Sequence, residues 1–307
     1  MQELYKKHRP KKLKQLYGQA HIIKALKNKV KNNKVPHAIL IGGPSGCGKT
    51  TIARILARHV GCGKHDFKEM NCADFRGIDM VRDIRRRINQ APLSGTAVMY
   101  LIDEAHKLSN DASNAFLKLL EDTPSHVYFV LCTTDPKKLI KEIHTRCTEL
   151  TVKSLDSNAL SFLLCNVVEK ENKKISTVVI DKIIEICEGS ARKALVLLDQ
   201  IIDMKDETDM LETIQSASVE TQAIEIARTL FKANISWTTM AKVLKNADLT
   251  EAESIRWMVL GYAKSIMLNG GKLSNKAYLV LDAFRDHFYD SKASGLVAAC
   301  YEVVCGE

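Results

Sequence analysis

Five short apolar runs, near residues 38, 68, 98, 127 and 148, alternate with segments whose apolar residues recur every three to four positions. Short apolar runs bounded by turns suit strands buried on both faces, and their alternation with helices predicts an α/β fold around a parallel sheet. Thr50 to Val60, with Ile52, Ile55, Leu56 and Val60 on one stripe, is expected to be a helix, as is the segment carrying Ile78, Val81, Ile84 and Ile88. After Val152 the strand pattern stops. "SLDSNALSFLLCNVVEKENKK" and "ISTVVIDKIIEICEG" read as helices, "MKDETDMLETIQSAS" as a polar boundary, and the apolar positions from Val219 onward as further helices, interrupted once at "NGGKLSN". The pattern divides the chain into an α/β domain over 1–152, a small helical domain over 153–205 and an all-helical domain over 218–307.

The length of 307 residues agrees with more than one core. No stretch holds the roughly 18 uninterrupted apolar residues of a membrane span, and the N-terminus "MQELYKKHRPKK" is charged where a secretory signal is apolar. A cytoplasmic protein with no membrane partner is expected. Nine scattered cysteines without a CxxC suit reduced thiols rather than a disulfide framework or zinc site. The net charge of +9 fits a polyanionic partner without demanding one.

Chemistry enters at "ILIGGPSGCGKTTIARILA". The loop from Gly43 through Pro44, Ser45, Gly46, Cys47 and Gly48 to Lys49 and Thr50, followed by Thr51, lies between an expected strand and an expected helix. Glycines let successive N–H groups curl around phosphates, Lys49 reaches the β- and γ-phosphates, Thr50 ligates Mg²⁺, and the helix N-terminus adds its partial positive charge. "AVMYLIDEAH" ends a second buried strand with Asp103, suited to the Mg²⁺ shell, and Glu104, suited to polarising a water. The pair points to ATP hydrolysis. Helicases that carry "DEAH" need two such domains, and this chain has one phosphate loop. Cys47, beside a lysine and a helix start, is expected to have a lowered pKa and to react with oxidants.

The ordered set "RP", "GPSGCGKT", "LIDEAHKLSNDASNAFLKLLED", "CTTDP", "TRC" and "EGSARKAL" resembles the ATPase subunits of sliding-clamp loaders: the bacterial gamma/tau type and the small subunits of replication factor C, within the AAA+ superfamily. The resemblance covers about residues 4–205. It implies an AAA+ domain, a helical lid and a helical collar. Thr134 would be sensor 1, Arg192 a lid residue touching its own subunit's nucleotide, and Arg146 an arginine finger for a neighbour's ATP. By itself Arg146 reads rather as half of a structural salt bridge, a reading that the resemblance reverses. Arg192, in the first turn of an expected helix that Gly189 precedes and Ser190 caps, opposes the helix dipole and calls for an anion. Arg9, Pro10, Tyr17, Gly18 and Gln19 match the family's adenine-side segment, whereas His8 replaces its usual aromatic residue.

The resemblance further implies that Arg76, Ile78 and Arg82, with Arg86 on the same face as Arg82, track the backbone of primer–template DNA. Arg85 and Arg87 read as solvated. "QAPLSGTA" resembles a clamp-pressing loop with Leu93 at its tip. A finger plus a complete site implies copies arranged head to tail in a ring or spiral, of five subunits in this family, with ATP and Mg²⁺ as cofactors and a sliding clamp as partner. The interval from Cys62 to Cys72 is too short for the family's bacterial zinc module, and the compact form resembles phage-encoded or archaeal-style small subunits. Other functions compatible with these motifs are an AAA+ motor for branch migration or helicase loading, and a non-catalytic replication scaffold.

Overall fold

The computed structural model describes residues 3–32, 34–73, 77–271 and 273–306. The five apolar runs form strands β1 (Ala38–Gly42), β2 (Cys62–Asn71), β3 (Ala97–Asp103), β4 (Val127–Thr133) and β5 (Thr148–Thr151). All pair in parallel, in the order β2-β3-β4-β1-β5. Every residue of β1 is buried, as are six of the seven in β3, which explains why these strands read as continuous apolar runs rather than alternating ones. The register sets Gly42 beside Thr133 and Ile102 beside Leu131, so the carboxyl ends of β1, β3 and β4 open at one edge. In open parallel sheets that edge is where ligands bind.

The helices of the first half are α1 (Leu4–Lys7), α2 (Ala20–Lys31), α3 (Lys49–His59), α4 (Ile78–Arg87), α5 (Asn110–Glu121) and α6 (Lys141–Arg146). Then come α7 (Ser157–Lys170), α8 (Thr177–Ile186) and α9 (Ala191–Ile201). In the core between the sheet and α5, Tyr100 stacks on Phe129, and Phe116 meets Phe129 edge to face. Side-chain caps start several helices: Ser109 accepts from the Ala112 N–H, Asp156 from Ala159, Ser176 from Val179 and Ser190 from Lys193.

The chain forms two compact units, residues 1–203 and 204–307. The second consists of α10 (Glu207–Leu230), α11 (Trp237–Lys245), α12 (Ala252–Asn269), α13 (Ser274–Ala283) and α14 (Lys292–Cys305) around a core that includes Ile226, Leu230, Ile255, Val259, Phe284 and Leu296. The expected polar boundary over 204–218 is instead mostly helix. Asp206 caps α10 through the N–H groups of Thr208 and Asp209, and Met210 and Ile214, four positions apart, are buried. Two apolar residues per three turns sufficed, so composition alone misread the segment. Among the described residues no helix is long and apolar enough to cross a membrane.

Candidate active site

The loop between β1 and α3 wraps a cleft at the carboxyl edge of the sheet. Gly43, Gly46 and Gly48 have φ of 143°, 75° and 101°, values that favour glycine. A Cβ at Gly43 would lie 2.2 Å from the Val152 carbonyl, and one at Gly46 would lie 2.1 Å from Ser190 Oγ, so those two glycines allow close approach of other segments. At Gly48 a Cβ would meet nothing within 4 Å, because this turn faces the open cleft. The cradle therefore has room for phosphate on one side and is braced on the other.

Lys49 begins α3 with its side chain buried, and its Nζ donates to the carbonyls of Gly43 at 2.7 Å and Pro44 at 2.9 Å. Burial pushes the ammonium below its ordinary pKa, with nearby anions including Asp103 and Glu104 acting the other way. A half-desolvated cation held by neutral carbonyls is a strong site for a phosphate anion. The Thr50 hydroxyl donates to Asp103 Oδ2 at 3.2 Å, and the other Asp103 oxygen accepts the Glu104 N–H at 3.0 Å. A hydroxyl and a carboxylate beside a phosphate cradle form the hard-oxygen donor set that Mg²⁺ prefers, so these residues fit that ion.

Glu104 sits at φ 52°, a left-handed conformation unusual for a residue with a side chain, and is followed by a 3-10 turn at Ala105–Lys107. The Thr134 hydroxyl donates to Glu104 Oε2 at 3.4 Å, and His106 Nδ1 lies 3.4 Å from the same oxygen and 3.0 Å from the buried Thr133 hydroxyl. His106 thus ties the acidic turn to the end of β4. Sequence reasoning quoted His106 within "DEAH" without giving it a part; the signal was present in the tetrad.

Arg9, Pro10, Tyr17, Ser45 through Thr51, Asp103, Glu104 and Arg192 all line this one cleft. Gly18, at φ 66°, precedes Gln19, which is 1% exposed. Gln19 donates from Nε2 to the Lys153 carbonyl at 2.6 Å and accepts the Lys153 N–H at 3.2 Å, fastening the N-terminal segment where β5 leads to α7. The Arg192 N–H donates to the Gly46 carbonyl at 3.2 Å, so the first turn of α9 rests directly on the phosphate loop. Its guanidinium lies 5.9 Å from the ring centre of Tyr5, another cleft residue outside the sequence assignment. Burial, and repulsion from Arg54 and Arg192, hold the Arg9 guanidinium below its ordinary pKa. Converging guanidiniums of this kind are relieved by a polyanion. His8 is turned to the Glu171 carboxylate, which also takes Lys7.

Cys47 departs from expectation. Burial raises its thiol pKa above the ordinary value, with Lys49 and Ser154 only partly opposing, and its Sγ lies 3.5 Å from the Gly189 and Ser45 carbonyls. Proximity to a lysine was outweighed by desolvation.

Arg146 is not among the residues lining the cleft. At the end of α6, its Nη2 pairs with Glu121 of α5 and its Nη1 donates to the Glu142 carbonyl at 3.3 Å. On α4, Arg82 and Arg86 are exposed and pair with Asp79 and Asp83 one turn before them; Ile78 is half-buried at the helix start. Arg76 lies outside the described residues. The exposed Leu93 tops a loop whose Leu93 and Ser94 N–H groups both donate at 2.7 Å to the buried Asp66 carboxylate.

Strand order, phosphate loop and acidic strand end define a P-loop ATPase fold of the AAA+ class. DNA polymerase III subunit tau of Bacillus subtilis (strain 168) is 34% identical over 263 residues, covering 76% of this chain and 46% of the relative. That of Escherichia coli (strain K12) is 31% identical over 283 residues, covering 84% and 43%. The chain belongs to the gamma/tau-like family of DNA polymerase III subunits. A sequence model of the family described as "DNA polymerase III, delta subunit" matches residues 18–80 and 73–156. DNA polymerase III subunit gamma of Buchnera aphidicola subsp. Schizaphis graminum is 32% identical over 238 residues, covering 68% of this chain and 66% of the relative. The chain spans less than half the length of the two tau relatives. Among solved structures, the Thermotoga maritima RuvB Holliday junction branch migration motor aligns with a TM-score of 0.57 at 19% identity, covering 83% of this chain and 91% of that one. At that identity the likeness concerns the fold.

Proposed function

We propose that this chain is an ATP-driven motor subunit of a sliding-clamp loader. ATP binding would assemble copies and partner subunits into a ring or spiral that opens the clamp and grips primer–template DNA; hydrolysis then releases the clamp onto it. One observation carries the reading: Lys49, Thr50, Asp103, Glu104 and Thr134 converge at the cleft edge, while Arg146 stands apart on α6. A site furnished in this way, with a spare guanidinium elsewhere, suits completion by an adjoining copy.

In this reading Lys49 and the loop N–H groups bind the triphosphate, and Thr50 with Asp103 would hold Mg²⁺. When bound, the ion supplies positive charge beside the phosphate oxygens. Glu104 orients a water and accepts its proton, Thr134 holds the Glu104 carboxylate toward the cleft, and Arg192 reports phosphate to the lid. The neighbour's Arg146 stabilises charge developing on the transferred phosphoryl group. Arg82 and Arg86, together with Arg76 and Ile78, would follow DNA through phosphate contacts without reading sequence. Leu93 would press on the clamp.

The test is ATPase turnover with a cognate clamp, primed DNA, or both. Stimulation by the two together is expected, and Glu104→Gln should retain ATP binding while losing roughly 10²-fold or more in turnover. Stimulation by junction DNA without a clamp would favour a remodelling motor, and no turnover under any condition a scaffold.

A further inference from the structure

The finger helix α6 is six residues long and lacks a side-chain N-cap. A helix that short has no stability of its own in water, so its orientation comes from tertiary fastenings. Ile143 is its one buried residue. Besides the Arg146–Glu121 pair to α5, the polar fastening is His144: its Nδ1 lies 2.8 Å from Glu149 Oε1 on β5, and its Nε2 lies 3.0 Å from the Pro136 carbonyl. Pro136 opens the 3-10 turn at Pro136–Lys138, two residues after Thr134, and its ring would sit 3.5 Å from a Cβ placed at Gly42, the residue before the phosphate loop. The imidazole therefore spans from the turn beside the protomer's own nucleotide site to the edge strand, and Arg146 follows two residues later on the same short helix.

We propose that His144 is a positioning residue for Arg146, seating the finger helix on the sensor turn of its own protomer so that the guanidinium meets the neighbour's nucleotide at a fixed place. The proposal rests on Arg146 acting in trans. His144 touches no substrate; it acts through the helix it holds. Glu121 sets the guanidinium on α5 from the other side, whereas His144 sets the helix that carries it.

The experiment measures ATP turnover of the assembled particle, with clamp and primer–template DNA, for His144→Leu, Glu149→Ala, Arg146→Ala and the double variant His144→Leu/Arg146→Ala. His144→Leu is expected to lower kcat by about 5- to 100-fold, the range that an ångström-scale misplacement costs, with KM little changed. Glu149→Ala, at an exposed edge position with no core to lose, should show a smaller loss of the same kind. The double variant should turn over no more slowly than Arg146→Ala alone, because a residue acting through another adds nothing once that other is gone. The isolated His144→Leu chain should bind ATP as the parent does, which separates mispositioning from misfolding. An unchanged kcat for both His144→Leu and Glu149→Ala while Arg146→Ala is inactive overturns this proposal and leaves the finger reading standing. A double variant slower than Arg146→Ala also overturns it. If Arg146→Ala keeps full turnover, the finger reading falls and this proposal falls with it.

Discussion

Single residues at this site are governed by which of two local effects is larger. Cys47 shows it plainly: a thiol next to a lysine at a helix start ought to ionise easily, yet burial in the braced loop outweighs the charge. At neutral pH, Cys47 is expected to be alkylated far more slowly than the exposed Cys165 and Cys305, as peptide mapping after a timed pulse of a thiol reagent would read. Labelling of Cys47 first would contradict this account. Lys49 shows the same physics with the opposite sign of charge: burial disfavours its ammonium, and a bound phosphate would offset that cost. The residue types at Lys49, Thr50, Asp103 and Glu104 were legible because phosphate and Mg²⁺ chemistry admits few alternatives at that spacing. Tyr5 was not, since it meets Arg192 from a distant and unremarkable stretch of chain.

Elements were legible where their apolar period was strong. β1, β3 and β4 lie on continuous apolar runs because strands buried on both faces hold few polar residues, whereas β2 and β5 are largely half-buried or exposed and carry polar ones. The first half of α10 was missed because its apolar stripe is sparse. The loop bearing Leu93 belongs to a third case, in which one carboxylate organises a segment without regular structure. Asp66, 2% exposed, accepts the Leu93 and Ser94 N–H groups and the Ser94 hydroxyl. Burial alone would raise its pKa, but those three donors together hold it below the ordinary carboxylate value. A carboxyl depressed in the folded state contributes stability at neutral pH that is lost as pH falls through the unfolded and then the folded value. Asp66→Asn should therefore destabilise the first unit by about 1–3 kcal/mol at neutral pH, with the difference from the parent shrinking in acid. Urea titrations at pH 7 and at acid pH would check it, with amide exchange at Leu93 and Ser94 reporting the loop itself. A constant difference across pH would remove the ionised carboxylate from the explanation.

At the scale of the whole molecule, the proposed division of labour between copies makes a prediction no single protomer can. A Glu104→Gln chain keeps its finger and its ATP binding but lacks a working site, and an Arg146→Ala chain keeps its site but lacks a finger. Each alone should assemble into a particle with little turnover, the finger being worth ~10³ or more. Mixed before assembly in equal amounts, they should recover activity at about a quarter of the interfaces, those where an intact finger meets an intact site. Steady-state ATPase across mixing ratios would show a maximum between the two pure variants. A flat line would mean that Arg146 serves its own protomer, as the ion pair with Glu121 permits.

By itself the amino-acid order determined the class of fold, the phosphate loop, the acidic strand end and the family, because these depend on residues close in sequence or on periodic burial. Only the tertiary structure decided which distant side chains share the cleft and which stand apart from it. It brought Thr134 to Glu104, laid the Arg192 N–H on the Gly46 carbonyl, and tied His8 in the cleft wall to Glu171. It also left Arg146 on Glu121 and hung its helix on His144. Local patterns specify elements through short-range sterics and burial, whereas contacts across tens of residues depend on how the parallel sheet orders its strands, which no local pattern encodes.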